Sequence, residues 1–460
     1  MARVFRHYVP RWLIGLAFVD ACTLVLSIYL AIFLRWGNLR EFGGEIIGHI
    51  GDAITFTSII LFSMYSQGLY SRPYVKDNKS VLARLVVAYI IAIPLMSIVF
   101  YLLPETTIWR SSLVIASTVS FVALFHIRYF VNHVSSLAHL KRRVLVLGAG
   151  ARAARIATVE GQSGSRFVCA GFVPTNESSV EIDGRRLIAD VSSLPAYVER
   201  NAIQEVVVAP EDRRGAFPVR SLLDCKLFGT QITDFSTFME RETGRVELEA
   251  LFPSWLIFSD GFPGGRMQGV LKRVFDIVVS LGFLVFAWPV IVATAIAIRL
   301  EGQGPIFYRQ QRVGLNGEPF MLMKFRSMHV DAEKAGPQWA AVKDPRITPV
   351  GAFIRNTRID EMPQVFNVLG GSMSFIGPRP ERPFFVDRLC ESIPYYSERH
   401  RVKPGITGWA QIHYPYGASE EDAKEKLKYD LYYIKNYSLF LDFIILVQTA
   451  QVVFWPQGAR

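Results

Sequence analysis

Four apolar runs in the first third of the chain restrict its fold more than any other feature, since about 20 apolar residues let a helix cross bilayer hydrocarbon. Trp12 to Leu34 is apolar apart from Asp20 and a few hydroxyls, and Ile47 to Met64 is a weaker run. Val81 to Leu103 and Ser112 to Val131 follow, with Pro104, Glu105 and Arg110 in the short connection between them. The pattern predicts a block of four transmembrane helices over residues 1–135. Asp20 is the one carboxylate expected inside it, and it is read as standing alone. The block is expected to anchor the chain and help it oligomerise, with a homodimer the natural state, and not to transport.

Basic residues orient the block. Arg3, Arg6 and Arg11 precede the first run; Arg72, Lys76 and Lys79 lie between the second and third; Lys141, Arg142 and Arg143 follow the fourth. Both ends are therefore expected on the cytoplasmic side, with everything after Lys141. Arg35 and Arg40 oppose this from the far side, partly offset by Glu41 and Glu45. Because further apolar segments follow the first, that run reads as an anchor and not as a cleaved signal.

The 460 residues leave room for two or three domains. With 51% hydrophobic residues and a net charge of +10, the chain suits anionic lipid headgroups and phosphorylated substrates. No basic stripe with interleaved aromatics appears, so nucleic acid is not an expected partner. Cys22, Cys169, Cys225 and Cys390 lie far apart and form neither a CxxC unit nor a zinc spacing.

A second domain is expected over 140–262. The apolar run after Arg143 enters Gly148-Ala-Gly150-Ala-Arg-Ala153, a strand, glycine turn and helix start. Gly148, Gly150 and Ala153 fit the G-x-G-x-x-A spacing that lets backbone approach a diphosphate. Segments then alternate in an α/β manner: strands at Phe167–Val173, Arg186–Ala189, Glu205–Ala209 and Gln231–Asp234, and helices near Ser193–Arg200 and Val219–Phe228. The second strand continues Gly171-Phe-Val-Pro-Thr-Asn176, without the carboxylate that a dinucleotide ribose needs. A Rossmann-like domain is expected, either purely structural or binding NAD or another nucleotide for regulation. No Tyr-x-x-x-Lys pair follows at helical spacing, which speaks against an oxidoreductase.

A third unit opens near Arg266. Lys272 and Arg273 precede an apolar stretch from Phe275 to Leu300 with Pro289 near its middle. Basic residues on both sides (Lys272 and Arg273 before, Arg309, Arg312 and Lys324 after) favour a re-entrant helix-turn-helix over about 272–300 that returns the chain to the cytoplasmic face. Beyond it come Arg309-Gln-Gln-Arg312, Lys324-Phe-Arg326-Ser-Met328, Asp344-Pro-Arg346 and Arg355-Asn-Thr-Arg358-Ile-Asp360-Glu361-Met-Pro-Gln364. Gly377-Pro-Arg379-Pro-Glu381-Arg382 and Arg401-Val-Lys403-Pro-Gly-Ile-Thr-Gly-Trp409-Ala-Gln411 complete the series. Arginine forks hold phosphate oxygens bidentately, so this density suits a diphosphate donor and a phosphate acceptor meeting at one place. An amphipathic domain facing lipid headgroups would also use many arginines. Asp360 and Glu361 are adjacent and expected at the end of a short helix, where neighbours diverge by about 100° and divide labour.

From Arg266 to its end the chain resembles the bacterial sugar transferases, the monotopic polyprenyl-phosphate phosphoglycosyl transferases. The matching elements are those opened by Lys324, Asp344, Arg358, Gly377 and Lys403, and Tyr429-Asp-Leu-Tyr-Tyr-Ile-Lys-Asn-Tyr resembles the family's amphipathic tail. The whole order is similar to long-form members, with four membrane helices, a Rossmann-like middle and a mostly α catalytic domain over 266–460. The resemblance implies an inner-membrane enzyme of exopolysaccharide, capsule or O-antigen assembly, with its catalytic domain on the cytoplasmic face. It implies that Asp360 attacks the β-phosphate of a UDP-hexose and expels UMP, and that undecaprenyl phosphate then takes the sugar phosphate from the aspartyl intermediate. Glu361 would assist Mg²⁺, with Asp360 as a further ligand, or deprotonate the lipid phosphate. Lys324, Arg326, Arg346, Arg355, Arg358, Gln364, Arg379, Arg382, Arg401 and Lys403 become candidate phosphate ligands. Pro289 matches the kink of the family's re-entrant helix, although Trp288 stands where Ser is common and Met362 where Leu is frequent. Two competing accounts are a membrane-anchored nucleotide-sugar oxidoreductase or dehydratase using the Gly148 turn, and a non-catalytic scaffold of polysaccharide assembly.

Overall fold

A computed structural model of the chain describes residues 2–4, 7–9, 11–36, 49–70, 77–103, 108–135, 141–162, 165–175, 180–188, 193–211, 218–251, 265–329, 344–415, 417 and 419–454. Arg6, Arg40, Glu41, Glu45, Arg72, Lys76, Pro104, Glu105, Asn176 and Ala189 lie outside them. The chain divides into two compact units that meet in sequence at Thr243 and Gly244.

The apolar runs of the first unit form α1 (Arg11–Trp36), α2 (Ile50–Ser66), α3 (Asn78–Leu102) and α4 (Arg110–Ser135). Asp77 caps α3 by accepting the Ser80 backbone N–H at 3.0 Å. α1, α3 and α4 are long and apolar enough to cross a membrane, while α2 is a shorter apolar helix of 17 residues. Their shared core contains Leu24 and Ile28 of α1, Phe56 and Ile60 of α2, Leu85 and Ala88 of α3, and Ala116 and Leu124 of α4. Small residues let the backbones approach, the usual basis of helix packing in lipid.

Asp20 does not stand alone. It is fully buried and accepts from Arg128 Nη2 at 2.6 Å and from the Tyr70 hydroxyl, which fastens α1 to α4 and to the turn after α2. A second carboxylate, Asp52, lies in α2 and meets His49 Nδ1 at 2.7 Å. An ionised group at such depth persists because its partner satisfies it, and Arg128 is too distant in sequence for any local pattern to reveal the pair.

The rest of this unit is a parallel sheet. β1 (Arg142–Leu147), β2 (Phe167–Val173), β3 (Glu205–Val208) and β4 (Gln231–Asp234) lie in the order β2-β1-β3-β4. Helices α5 (Ala151–Gly161), α6 (Leu194–Arg200), α7 (Val219–Leu227) and α8 (Phe235–Thr243) follow β1, precede β3, precede β4 and follow β4. All four residues of β3 are buried, as a central parallel strand requires. Its one polar member, Glu205, accepts from Thr233 Oγ1 at 2.5 Å and Arg241 Nη2 at 2.9 Å. The strand expected at Arg186–Ala189 does not form. Among the described residues a 3₁₀ turn, Gly184–Arg186, leads into a single bridge between Leu187 and Phe172, and one pairing at the edge of β2 does not make a strand.

The main stretch of the second unit runs from Gly244 onward. Its first residues are fastened to the helix α14 described below: Val246 N–H donates to Lys428 O at 3.0 Å, and Arg245 meets Glu425 at 3.0 Å. α9 (Arg266–Glu301) is 36 residues long and contains Pro289. No turn interrupts it, so the expected helix-turn-helix is replaced by one helix. Proline removes one ladder bond, and an apolar sequence offers the chain no better satisfied alternative than to continue helical. An antiparallel hairpin follows, β5 (Phe307–Val313) with β6 (Pro319–Phe325), turning through Asn316 and Gly317 at φ 55° and 86°. Then come α10 (Pro349–Asn356), α11 (Gln364–Gly370), β7 (Ser374–Ile376), α12 (Pro383–Ser392), β8 (Gly405–Thr407), α13 (Trp409–His413), α14 (Glu420–Lys435) and α15 (Leu439–Phe454). β7 and β8 pair in parallel. α14 opens on a reciprocal Ser419–Asp422 capping box and buries Leu427, Leu431, Tyr432, Tyr433 and Ile434, so the expected amphipathic tail is largely internal.

Candidate active site

Thr348 caps α10 by accepting the Gly351 N–H at 3.0 Å, and Pro349 occupies its first turn. The helix stops at Asn356, and Arg358 takes a left-handed conformation (φ 59°). Ile359, Asp360 and Glu361 then form a separate 3₁₀ turn ahead of Pro363 and α11. The dyad therefore lies between two helices and not at the end of one. A 3₁₀ turn rotates about 120° per residue, which sends the two carboxylates apart.

Both are 9% exposed, but their surroundings differ. Glu361 Oε1 accepts from Lys324 Nζ at 3.0 Å and Arg379 Nη2 at 2.5 Å, and Oε2 accepts from Arg379 Nη1 at 3.2 Å. Arg358 Nη1 stands 4.0 Å from Oε1. Burial alone would lift the Glu361 carboxyl, yet Arg379 and Lys324 outweigh it and hold the group well below the usual range. Asp360 accepts no side-chain hydrogen bond among the described residues. Burial raises its carboxyl, helped by the Glu361 charge, while Lys324, Arg355 and Arg379 pull the other way without prevailing. Burial likewise lowers Lys324, opposed by Glu361.

The backbone that presents Arg379 is pinned at successive carbonyls. Pro378 O accepts from Gly405 N at 2.9 Å, Arg379 O from Arg399 Nη2 at 3.0 Å, Pro380 O from Arg312 Nη1 at 3.1 Å and Glu381 O from Val313 N at 2.9 Å. Arg399 is itself buried against Asp430, at 2.8 and 3.1 Å, and the Tyr396 hydroxyl, at 2.7 Å. Arg312 also sits in the field of Arg382.

The candidates thus separate. Lys324, Glu361 and Arg379 are in direct contact, with Asp360, Arg355 and Arg358 beside them, and Gln364 is buried at the start of α11. Arg326 instead donates to the carbonyls of Ile298, Gly302 and Gln303, closing the C-terminus of α9. Arg346 folds onto Asp344 in a two-pronged pair at 2.8 and 2.6 Å and holds that carboxyl down to about 2. Arg401 makes an exposed pair with Glu398, and Lys403 lies near Lys272, Arg273 and Asp276. Arg399 and Asp430 were not foreseen as site residues, and Arg312 was read only as part of the arginine series. Alternation along β5 could have separated Arg312, on the partly buried face, from the exposed Arg309.

The bacterial sugar transferase profile matches residues 267–456, the stretch that carries every one of these contacts. The sugar transferase EpsL of Bacillus subtilis (strain 168) is 39% identical over 195 residues, 42% of this chain and 91% of that protein. The chain belongs to the bacterial sugar transferase family. A UDP-N-acetylgalactosamine-undecaprenyl-phosphate N-acetylgalactosaminephosphotransferase of Aeromonas hydrophila is 41% identical over 241 residues, 52% of this chain and 56% of its own length. An undecaprenyl-phosphate galactose phosphotransferase of Salmonella typhimurium is 28% identical over 414 residues, 85% of this chain and 83% of that one. The Aeromonas match thus spans about half of that relative, whereas the Salmonella match covers most of both chains.

The glycine turn of the first unit lies in the other compact unit. Gly150 precedes α5 as its N-cap, and Ala153 is buried in the first turn. Gly148, at φ 134°, donates its N–H to Val173 O at 2.8 Å.

Proposed function

We propose that this bacterial sugar transferase moves a hexose 1-phosphate from a UDP-sugar to undecaprenyl phosphate through a covalent aspartyl phosphosugar, the initiating step of a surface polysaccharide. The observation that carries the reading is the unequal treatment of two neighbouring carboxylates. Glu361 is clamped in its charged form, while Asp360 accepts no side-chain hydrogen bond among the described residues and is available as a nucleophile. In the first displacement an Asp360 oxygen bonds to the phosphorus nearer the sugar, and the bond from that phosphorus to UMP breaks. In the second, an oxygen of the lipid phosphate bonds to the same phosphorus and the Asp360–phosphorus bond breaks. Lys324, Arg355, Arg358 and Arg379 supply positive charge where phosphoryl negative charge accumulates. The names of the Aeromonas and Salmonella relatives supply the acceptor and a hexosamine or hexose as cargo.

Mg²⁺ is part of the proposal, and the donors suit it partially. Three donors occupy Glu361, leaving one lone-pair direction on Oε2, and Asp360 offers a whole carboxylate. Such a set fits an ion that takes its other ligands from water and diphosphate. When bound, Mg²⁺ would neutralise diphosphate charge.

The proposed topology has α1 to α4 spanning the inner membrane and α9 entering and leaving by the cytoplasmic face. Contacts at both ends of α9 support the re-entry. Arg273 Nη1 donates to Val368 O at 2.5 Å, Asn367 Oδ1 accepts Met323 N–H at 2.9 Å, and Phe325 packs on Ile298. A straight helix would separate Arg273 from Ile298 by about 38 Å, at 1.5 Å per residue. That relay of short contacts reaches so far only if every link is stretched along one line, so a bend at Pro289 accounts for it better. Labelling of Met267→Cys and Gln303→Cys from the same side of sealed vesicles is the expected result; labelling from opposite sides would exclude re-entry.

The activity is tested with protein in nanodiscs, undecaprenyl phosphate, Mg²⁺ and a panel of UDP-glucose, UDP-galactose and their N-acetylated forms. UMP release and a lipid-linked sugar are expected, both absent in Asp360→Asn. Turnover by Asp360→Asn at the parent rate would refute the nucleophile, and failure of every donor with folded protein would refute the activity.

A further inference from the structure

In open α/β sheets, ligands bind outside the carboxyl ends of the strands where strand order reverses. Here that point lies between β1 and β3, since the chain goes from β1 to β2 on one side and then to β3 on the other. The glycine turn leaves β1 at this crevice, and the segment Ala209-Pro210-Glu211 leaves β3 beside it.

Glu211 occupies the place a phosphate would take. Its Oε1 accepts the Ala151 N–H at 2.7 Å, and a Cβ placed on Gly150 would lie 2.5 Å from the same oxygen. The close approach that glycine allows to a ligand is therefore taken by the protein's own carboxylate. The rest of the turn is likewise engaged internally: Gly148 N–H donates to Val173 O, and Ala149 O accepts Glu181 N–H, both at 2.8 Å. Arg152, the cation nearest the turn in sequence, donates to Pro210 O at 2.6 Å and stacks over Phe235. Among the described residues at the end of β2, Val173-Pro174-Thr175 carries no carboxylate to hold a ribose. A bound diphosphate would have to expel Glu211 or share its donor with a like charge.

We infer that this domain is a nucleotide fold closed from within: Glu211 serves as the anion of the glycine turn, and the domain takes no dinucleotide. The residues do not fit NAD, so the α/β unit contributes structure instead of cofactor chemistry. The inference is independent of the transferase reading, because no residue of the Asp360 site enters it.

Amide hydrogen exchange of the full-length protein in nanodiscs tests it, with NAD⁺ at millimolar concentration as the probe. Ala151 has no intrahelical acceptor of its own, so its protection depends on Glu211. Glu211→Ala is expected to speed exchange in the first turn of α5 about fivefold, the equivalent of the ~1 kcal/mol an N-terminal acceptor contributes. Glu211→Gln keeps an acceptor oxygen and a similar shape, and should exchange nearly as the parent does. NAD⁺ should leave exchange over 148–154 unchanged in the parent. Slowing of that segment by NAD⁺ in the parent, or unchanged exchange in Glu211→Ala, would overturn the inference. Should Glu211→Ala fail to fold, the parent with NAD⁺ and Glu211→Gln still decide the question.

Discussion

Replacing Arg379 by alanine removes two of the three hydrogen bonds to Glu361 and leaves Lys324 at 3.0 Å as the closest remaining cation. Breaking a buried ion pair from one side costs about 3–5 kcal/mol. Arg379 is 29% exposed and Lys324 remains, so water and the lysine recover part of this, and ~2 kcal/mol is expected. For a unit of this size that corresponds to a fall in Tm of about 4–8 °C near neutral pH. The pH dependence identifies the cause. The folded Glu361 carboxyl titrates well below its ordinary 4.5, so its contribution is present above that value and is lost as pH falls through the folded value. Without Arg379 burial is less opposed and the folded value rises. The variant then carries its penalty at neutral pH and is relieved of it as the carboxyl takes up a proton. The Tm difference between parent and Arg379→Ala should therefore be widest near pH 7 and narrow as pH falls below about 5. Thermal unfolding of the solubilised protein from about pH 7.5 to 4 reads both quantities. A Tm difference under 1 °C at neutral pH (about 0.3 kcal/mol), or one that does not change with pH, would refute the clamp.

The raised Asp360 carboxyl should give kcat/KM an acid limb above its ordinary value of 3.8, with activity increasing as Asp360 ionises. Lys324→Met removes the largest opposing charge and should move that limb to higher pH; an unmoved limb would deny Asp360 its role. In the membrane block, Asp20→Leu leaves Arg128 buried without its carboxylate and should cost about 3–5 kcal/mol, seen as faster proteolysis. The double variant Asp20→Leu/Arg128→Leu should recover most of that, and equal lability of single and double variants would count against the pair. Arg326→Ala should loosen the last turn of α9, measured as faster exchange at 298–303, while leaving the pH profile of turnover in place.

Signals with a local period were readable in the sequence. Apolar runs gave α1, α3 and α4 to within a few residues, and the strands Phe167–Val173 and Gln231–Asp234 fall where composition put them. The partners of buried charges were not readable, because Asp20 and Arg128 are 108 residues apart and Arg399 and Asp430 are 31 apart. Nor could spacing tell a phosphate ligand from a helix cap. Lys324 lies on β6 and Arg326 just past its end, yet the arginine closes α9 and the lysine holds Glu361. The G-x-G-x-x-A spacing reported a glycine turn correctly, but the carboxylate that meets it, Glu211, comes from the segment after β3.

The adjacency of Asp360 and Glu361 acquires its meaning from that same long-range layer. As neighbours in one turn they share a backbone, nearly equal burial and the same distant charges. Chemical difference therefore has to come from direct contacts, and these fall on one residue alone: both Arg379 prongs and the Lys324 ammonium go to Glu361. Burial lifts the Asp360 carboxyl, the negative charge fixed beside it on Glu361 adds to that lift, and the two cations keep it bounded. A nucleophilic carboxylate benefits from both effects. Weak solvation, and the lack of a side-chain donor among the described residues, keep its lone pairs available, and nearby cations favour its ionised form. Arg379 holds this balance through backbone carbonyls engaged by Arg399 and Arg312, so pinning of the Pro378–Glu381 segment sets the protonation difference on which the proposed two-step transfer depends.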